Sequence, residues 1–234
     1  MKAESWIEHN LALRRTQHRE RQDRAWPRAG ARLERDGRTL VNFAGNDYLA
    51  LAGDPRLARA AADAALALGT GATASRLVCG TLDLHRDLEA RLAAFKGYPA
   101  ALLFGSGYLA CAGVLQAAAD RGCVIVLDRL AHASLLDGAA LSRAKVLRFH
   151  HNDPDHARHL LQRTAGARAL LVTESVFSMD GDLAPLPELA AAAEAHDALF
   201  VVDEAHATGV FGPHGAGLVS AHGLQARVHA AITT

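Results

Sequence analysis

The chain has 234 residues, half of them hydrophobic, and its 25 basic and 25 acidic side chains give a formal net charge of zero. This composition argues against a disordered polypeptide, because it can supply a sizeable core. The balanced charge gives no global attraction for nucleic acid or for an anionic membrane, and we expect neither as a partner. The N-terminus lacks the apolar core of a signal peptide and no apolar run could span a bilayer, so we expect a cytoplasmic protein.

The cysteines and histidines do not predict a metal centre. Cys79, Cys111 and Cys123 are odd in number and have no CxxC spacing, which favours neither a disulfide framework nor a zinc ribbon. One histidine-rich stretch is a remote alternative, but such a stretch near a helix start is usually solvated, and we expect no metal. Its members are His150, His151, His156 and His159.

The first part of the chain predicts a helix followed by a hairpin. Residues from about 3 to 25 predict a helix, and its arginines form the most basic part of the chain. Acidic residues interrupt that run, which favours a solvated helix face over a nucleic-acid-binding arm. Pro27 and Gly30 end the helix, and residues 31–43 alternate as a hairpin with Asp36-Gly37 as its turn. We assign residues 1–45 to an N-terminal segment and 46–234 to the main domain.

From residue 46 onward, helices alternate with strands. A helix begins near Asp54-Pro55, with proline in its first turn. Further helices are predicted at 83–96, 107–119, 133–142, 154–165 and 187–197. Strands are predicted at 100–104, 123–127, 146–149, 169–173 and 199–202, and the last five residues start another. This alternation predicts an α/β fold of three layers, α/β/α, around a mostly parallel sheet.

Side chains suited to ligand binding follow four of the predicted strands. Loop 105–108 is glycine-rich and opens a helix, so its N–H groups can converge on an anion. His132 offers a flat ring for stacking and Ser178 a hydroxyl, while Asp203 and His206 supply a carboxylate and an imidazole. Because ligands bind outside the carboxyl ends of strands in open α/β sheets, this combination predicts a binding site.

Simpler interpretations exist for each feature taken alone. A tight strand-to-helix turn needs glycine anyway, and the histidines, serine and aspartate are common in surface turns and helix caps. Loop 105–108 matches neither a Walker loop nor the complete dinucleotide-binding pattern. A nucleotide-binding α/β module that uses this loop remains an alternative.

Six segments carry one resemblance that runs in register to the end of the chain. They are Asn46-Asp47-Tyr48-Leu49, Phe104-x-Ser106-Gly107-Tyr108, Asp128-x-x-x-His132-Ala133-Ser134, His151-Asn152-Asp153, Thr173-Glu174-x-Val176-Phe177-Ser178-Met179-Asp180-Gly181-Asp182 and Val202-Asp203-Glu204-Ala205-His206-x-Thr208-Gly209. Together they resemble the α-oxoamine synthases, which are pyridoxal-phosphate (PLP) enzymes of the aspartate-aminotransferase fold, PLP-dependent fold type I.

The resemblance implies PLP as the cofactor and indicates which residues hold its phosphate. Gly107 and Tyr108 would contact the phosphate through their backbone. A threonine at the end of the chain would also bind it, Thr234 rather than Thr233.

The resemblance also implies roles around the cofactor ring. Asp203 would pair with the protonated ring nitrogen, which makes the pyridine an electron sink. His132 would stack on the ring and touch substrate, and Ser178 and His206 would contact the phenolic oxygen. Arg21 matches a substrate-binding position in the basic N-terminal helix. His132, Asp203 and His206 are the implied catalytic residues.

The form of segment 46–49 most resembles the family branch that acts in biotin biosynthesis. The implied reaction is the decarboxylative condensation of L-alanine with pimeloyl-CoA or a pimeloyl-acyl carrier protein to 8-amino-7-oxononanoate, in a homodimer. Two alternatives stay open, namely another branch such as glycine C-acetyltransferase, and an inactive pseudoenzyme.

The sequence departs from the family at its end. Members hold the cofactor through a lysine in a Thr-x-Gly-Lys segment, and this chain stops at Thr233-Thr234, where that segment would begin. Lys2, Lys96 and Lys145 are its lysines, and none lies in such a segment. We therefore expect a truncated chain, inactive alone, with an incomplete large domain and no C-terminal domain.

Overall fold

The computed structural model describes residues 3–23, 25–26, 30–164 and 166–234. The chain forms two compact units, Met1–Ala65 and Leu66–Thr234. In the described ranges, no helix has both the length and the apolarity that crossing a bilayer requires. The boundary that the sequence places after residue 45 stays a prediction.

The first unit contains a helix and a two-stranded hairpin. Strands β1 (Arg32–Arg35) and β2 (Arg38–Val41) pair antiparallel, as predicted. Asp36 and Gly37 connect them with φ angles of 49° and 72°, the left-handed pair that suits the twist of a two-residue hairpin.

The N-terminal helix is shorter than predicted. Helix α1 (Ala3–Thr16) ends well before residue 25, because His18 adopts a left-handed φ of 54° that an α-helix cannot continue. Arg21 therefore follows the helix instead of lying in it. Of the two residues predicted to end the helix, Pro27 lies outside the described residues.

The second unit is built on a parallel sheet with helices between its strands. Helix α2 (Pro55–Leu68) begins at the predicted proline and runs into this unit. The later helices are α3 (Asp83–Lys96), α4 (Gly107–Ala118), α5 (Ala133–Ser142), α6 (Pro154–Gln162), α7 (Leu186–Ala195) and α8 (Leu218–Ala221). The strands are β3 (Cys123–Asp128), β4 (Lys145–Phe149), β5 (Arg168–Glu174), β6 (Leu199–Asp203) and β7 (Ala230–Ile232).

One predicted strand is wrong. Residues 100–104 are not a strand, because no described segment pairs with them. Side chains hold this backbone instead: the N–H of Leu103 donates to Glu89 Oε1 at 3.0 Å, and Arg76 Nη1 donates to its carbonyl at 3.5 Å. The predicted strand at the end of the chain is confirmed as β7.

Helices cover both faces of the sheet, which confirms the predicted three-layer α/β/α architecture. Along β3, Val124 and Val126 pack in one apolar cluster with α6 and α7, while Ile125 and Leu127 pack in another with α4 and α5. Alternate side chains of a strand point to opposite faces, so a strand buried on both sides reads as a continuous apolar run.

The strand order β4-β3-β5-β6-β7 places a reversal at β3. The chain adds β4 on one side of β3 and then returns to add β5 on the other side. Helix α5, which follows β3, and helix α7, which follows β5, pack on opposite faces. The loops after β3 and β5 therefore lead to opposite faces, which is the arrangement that forms a ligand-binding crevice in open α/β sheets.

The contact between α4 and α5 depends on a glycine. A Cβ on Gly138 would lie 3.0 Å from Ala112 Cα and 3.1 Å from the carbonyl oxygen of Cys111. We expect Gly138→Val to lower the free energy of unfolding by about 2 kcal/mol more than Ala140→Val, an exposed position of the same helix. Urea denaturation measures both, and equal losses would contradict this close approach.

Candidate active site

Four buried carboxylates lie at the carboxyl end of the parallel sheet. Asp128 ends β3, Glu174 ends β5, and Asp203 ends β6 and is followed by Glu204. Their exposed fractions are 0, 2, 7 and 0%. Burying a carboxylate is costly unless it is paired or hydrogen-bonded, so the partners of each one indicate its role.

Asp128 is paired with a histidine. Its Oδ1 lies 3.0 Å from His151 Nδ1, and its Oδ2 accepts the N–H of Asn152 at 3.0 Å. The other ring nitrogen of His151 lies 2.7 Å from Asp182 Oδ2, in the segment after β5. Burial lowers the pKa of His151, but its bonds to the two aspartates outweigh burial and raise that pKa overall. When both of its nitrogens are protonated, the ring can donate to both aspartates and so ties together the ends of β3 and β4 and the segment after β5.

Glu204 is paired with a lysine of α3. Its Oε2 lies 2.6 Å from Lys96 Nζ, and its Oε1 accepts the N–H of Val219 at 2.9 Å. The ammonium also donates to Thr208 Oγ1 at 3.0 Å. A Cβ on Gly217 would come within 2.6 Å of this carboxylate, so the chain there needs glycine. Lys96, which the sequence analysis left without a role, therefore neutralises a buried charge.

Neither Glu174 nor Asp203 forms an ion pair with a lysine or arginine of the described residues. They end neighbouring strands and stand opposite each other in the register of β5 and β6. Burial, followed by the negative charge of Asp203, raises the pKa of Glu174 to about 7. Two adjacent buried carboxylates without such a cation form an electronegative site that suits a positively charged ligand group.

Asp203 is held by one neutral donor on each oxygen. Its Oδ1 accepts the N–H of Ala205 at 2.9 Å, and its Oδ2 accepts the thiol of Cys111 at 3.4 Å. Cys111 lies on α4 under the sheet edge, where burial and the charge of Asp203 raise its thiol pKa to about 12. The thiol therefore stays protonated and donates.

His132 and Ser178 follow the two strands whose loops diverge. His132 caps α5, and its Nδ1 lies 2.7 Å from Ser134 Oγ. Ser178 lies in the turn after β5. Both residues donate their backbone N–H to the carboxylate of Glu174, at 2.6 and 3.3 Å.

The start of α4 and the end of β7 meet at the same edge. Ser106 caps α4 by accepting the N–H of Leu109 at 3.2 Å, and the N–H groups that open a helix have no acceptor within it. A Cβ on Gly107 would lie 2.1 Å from Thr234 Cγ2, so the two residues are in close contact. The hydroxyl of Thr233 is buried and finds no hydrogen-bond partner in the part of the chain that the structure describes.

The remaining predicted residues lie at different places. The side chain of Tyr108 reaches away to donate to Asp137 Oδ2 at 3.0 Å, which leaves its backbone at the start of α4. His206 lies in the loop after β6, three residues past Asp203. Arg21 lies in the first unit and is exposed.

The histidine-rich stretch divides between two settings. His151 points to Asp128 and Asp182, as described above. Ligand atoms of His150, Asp153 and His156 lie within 4.8 Å of one another near the start of α6. The backbone N–H of His150 already donates to His156 Nδ1 at 2.9 Å, and the Asp153 side chain caps α6.

Sequence reasoning assigned no role to four residues of this edge, namely Lys96, Cys111, Glu174 and Glu204. Glu174 and Glu204 are charged residues directly after apolar strands, a pattern that indicates a buried carboxylate. No pattern in the sequence predicts the partners Lys96 and Cys111, because both come from helices distant in the chain.

Comparisons with known proteins agree with this geometry. The sequence profile of the family described as aminotransferase class I and II matches residues 38–234. Proteins named 8-amino-7-oxononanoate synthase from Anaeromyxobacter sp. strain K and Geobacter sulfurreducens are 54% and 52% identical over 86% and 80% of this chain. The chain spans about half the length of these curated relatives, 51% and 48%.

Solved structures share the fold. Serine palmitoyltransferase from Sphingomonas wittichii superposes with a TM-score of 0.87 at 34% identity, covering 98% of this chain and 58% of that one. A serine palmitoyltransferase from S. paucimobilis in complex with PLP and myriocin gives 0.89 at 30% identity, covering 100% and 61%. 8-Amino-7-oxononanoate synthase from Francisella tularensis gives 0.65 at 30% identity, covering 76% and 49%.

The pairing of His151 makes stability depend on pH. Because its folded pKa is raised, its contribution is complete below about pH 6.5, the usual histidine pKa, and is lost as pH rises through the folded pKa. We expect His151→Gln to cost about 2 kcal/mol of unfolding free energy at pH 5.5 and clearly less at pH 8.5. His222→Gln, an exposed histidine, is the control in urea denaturation. An equal cost at both pH values would contradict the pairing of His151 with Asp128 and Asp182.

Proposed function

Because the chain belongs to the aminotransferase class I and II family, whose profile matches residues 38–234, we propose that it binds PLP and forms part of an α-oxoamine synthase. The proposed reaction joins L-alanine to the pimeloyl group of pimeloyl-CoA or of a pimeloyl-acyl carrier protein. The products are 8-amino-7-oxononanoate, CO2 and the free thiol. Curated relatives of that name, 50 to 54% identical to this chain, support the assignment.

The observation that carries this proposal is the pair of adjacent buried carboxylates, Glu174 and Asp203, neither of which has a lysine or arginine partner among the described residues. A pyridine ring protonated at its nitrogen is a flat cation, and one of these two carboxylates can bind it. Asp203 is the residue that we propose for this task, since its two oxygens accept from a backbone N–H and a thiol, both of which are neutral donors. Bound PLP supplies an electron sink for the electrons released at the α-carbon of an amino acid.

The phosphate of PLP would bind at the start of α4. The N–H groups of Gly107 and Tyr108 open that helix, and its dipole favours an anion there. Thr234 contacts Gly107, which supports its role as a phosphate ligand, and the unpartnered hydroxyl of Thr233 is a further donor at this edge. A glycine at residue 107 is needed, because a side chain would collide with Thr234.

The ring of PLP would lie between the loops that follow β3 and β5. His132 is exposed, so its ring is available to stack on a planar ligand. Ser178 and His206 would donate to the phenolic oxygen and so hold the ring in its plane. In this arrangement His132, Asp203 and His206 are the catalytic residues, and His132 also contacts substrate. For Arg21, the substrate-binding role is proposed on the family resemblance alone.

The substrates are proposed on the names of the relatives, and the assembly on the family resemblance. We propose a homodimer, in which a second copy completes the site, and a cytoplasmic location. The described Cys79, Cys111 and Cys123 are all free thiols, which agrees with a reducing compartment.

Removing the charge of residue 203 tests the cofactor site directly. We expect Asp203→Asn to weaken PLP binding at least about tenfold, because the amide keeps the shape of the side chain but not the charge that holds the ring proton. Equilibrium dialysis with PLP measures this, with Asp87→Asn, the same change at an exposed position of α3, as the control. If NAD or ATP stabilises the chain thermally and PLP does not, the site is a nucleotide site and the proposal is wrong.

An activity assay of the complete gene product tests the reaction. We expect 8-amino-7-oxononanoate from L-alanine and pimeloyl-CoA, and a loss of kcat of at least about 100-fold in Asp203→Ala. Glycine with acetyl-CoA and L-serine with palmitoyl-CoA are the comparison substrates. Faster turnover of either comparison pair would assign another branch of the family.

A further inference from the structure

One carboxylate connects the two loops that carry His132 and Ser178. Glu174 Oε1 accepts the backbone N–H of His132 at 2.6 Å, and Oε2 accepts that of Ser178 at 3.3 Å. His132 follows β3 and Ser178 follows β5, so this side chain bridges the point where the two loops diverge. Each oxygen has one backbone donor, and the two donors fix the carboxylate in its plane.

This arrangement is costly for the fold. Glu174 is buried, stands opposite Asp203 and has no lysine or arginine partner among the described residues. Burial and the nearby Asp203 raise its pKa to about 7. Residues that break the ordinary rules of burial in this way concentrate at functional sites, where their position serves the chemistry.

We propose that Glu174 is a positioning residue of the cofactor site, which sets the stacking ring of His132 against the hydroxyl of Ser178 by holding both backbones. This inference rests on the proposed function, because that function gives His132 and Ser178 a common ligand, PLP. Glu174 acts through their backbone N–H groups. The amide of a glutamine would present a donor to one of these N–H groups, and the hydroxyl oxygen of a protonated carboxyl is a weaker acceptor, so the carboxylate holds both best.

The bridge therefore depends on the charge of Glu174. With a pKa of about 7, the carboxylate is mostly ionised at pH 8 and mostly protonated at pH 6. The groups that face it are Asp203 from β6, Asp128 from β3, the thiol of Cys111 from α4 and His132 at the start of α5. Its two backbone donors favour the ionised form and partly offset its burial.

The test compares PLP binding by Glu174→Gln and by the parent chain at pH 8 and pH 6. The matched control is Glu188→Gln, the same change at an exposed position of α7. We expect Glu174→Gln to raise the Kd for PLP about tenfold at pH 8 and less than about twofold at pH 6, because the parent has lost its carboxylate there. Other groups also titrate in this range, so the ratio of variant to parent Kd at each pH is the relevant quantity.

Hydrogen exchange of the backbone provides a second readout that needs no cofactor. We expect the N–H groups of His132 and Ser178 to exchange at least about tenfold faster in Glu174→Gln at pH 8, with no change in Glu188→Gln. In the parent, protection of these two N–H groups, corrected for intrinsic rates, should fall between pH 8 and pH 6. The measurement on the parent tests the bridge even if the Glu174→Gln variant does not fold.

The outcomes separate this inference from the proposed function. If the parent binds PLP and Glu174→Gln binds it equally well at pH 8, the positioning role is overturned while the function stands. If the parent does not bind PLP, the cofactor site is rejected, and exchange at the two N–H groups decides whether Glu174 holds the loops. Unchanged exchange in the variant, or constant protection in the parent, overturns the bridge itself.

Discussion

The burial of four carboxylates at one edge of a parallel sheet is the constraint on which the rest of the site depends. Parallel strands deliver their carboxyl ends to the same side, so residues that end β3, β5 and β6 must meet there. Two of these charges are matched inside the protein, Asp128 by His151 and Glu204 by Lys96. The described donors to Glu174 and Asp203 are neutral, namely backbone N–H groups and the thiol of Cys111. The edge is therefore both rigid and electronegative.

Neighbouring residues take different roles because of strand geometry. Asp203 and Glu204 are adjacent in the chain, yet Asp203 contacts Cys111 of α4 and Glu204 contacts Lys96 of α3. Successive side chains at a strand end point in different directions, so one carboxylate can serve the core while the next serves the ligand site. The Lys96–Glu204 pair anchors the loop after β6 at Val219 and Thr208, next to Asp203, the residue proposed to bind the cofactor nitrogen.

The reversal of strand order gives the site its opening. If β3 and β5 were followed by helices on the same face, His132 and Ser178 would leave the sheet on the same side and no crevice would form between them. Because α5 and α7 lie on opposite faces, the two loops separate, and Glu174 is the side chain that spans them. The same separation leaves His132 exposed, whereas Glu174 stays buried.

Local features of this chain were determined by the sequence. The Asp36-Gly37 turn, the helix at 83–96 and the strand that ends at Asp203 follow from turn chemistry and apolar period, which act over a few residues. The helix predicted to residue 25 and the strand predicted at 100–104 are both wrong. A left-handed residue stops the first, and no described segment pairs with the second.

Only the tertiary structure decided how the buried charges are matched. Lys96 and Glu204 are 108 residues apart, and His132 and Glu174 are 42 apart, so no local pattern could connect them. The sequence predicted an acid, a flat ring and a hydroxyl at the ends of three strands, because apolar runs indicate where strands end. Which carboxylate pairs with a cation and which accepts from neutral donors depends on the helices packed beneath each strand, and that packing exists only in the folded chain.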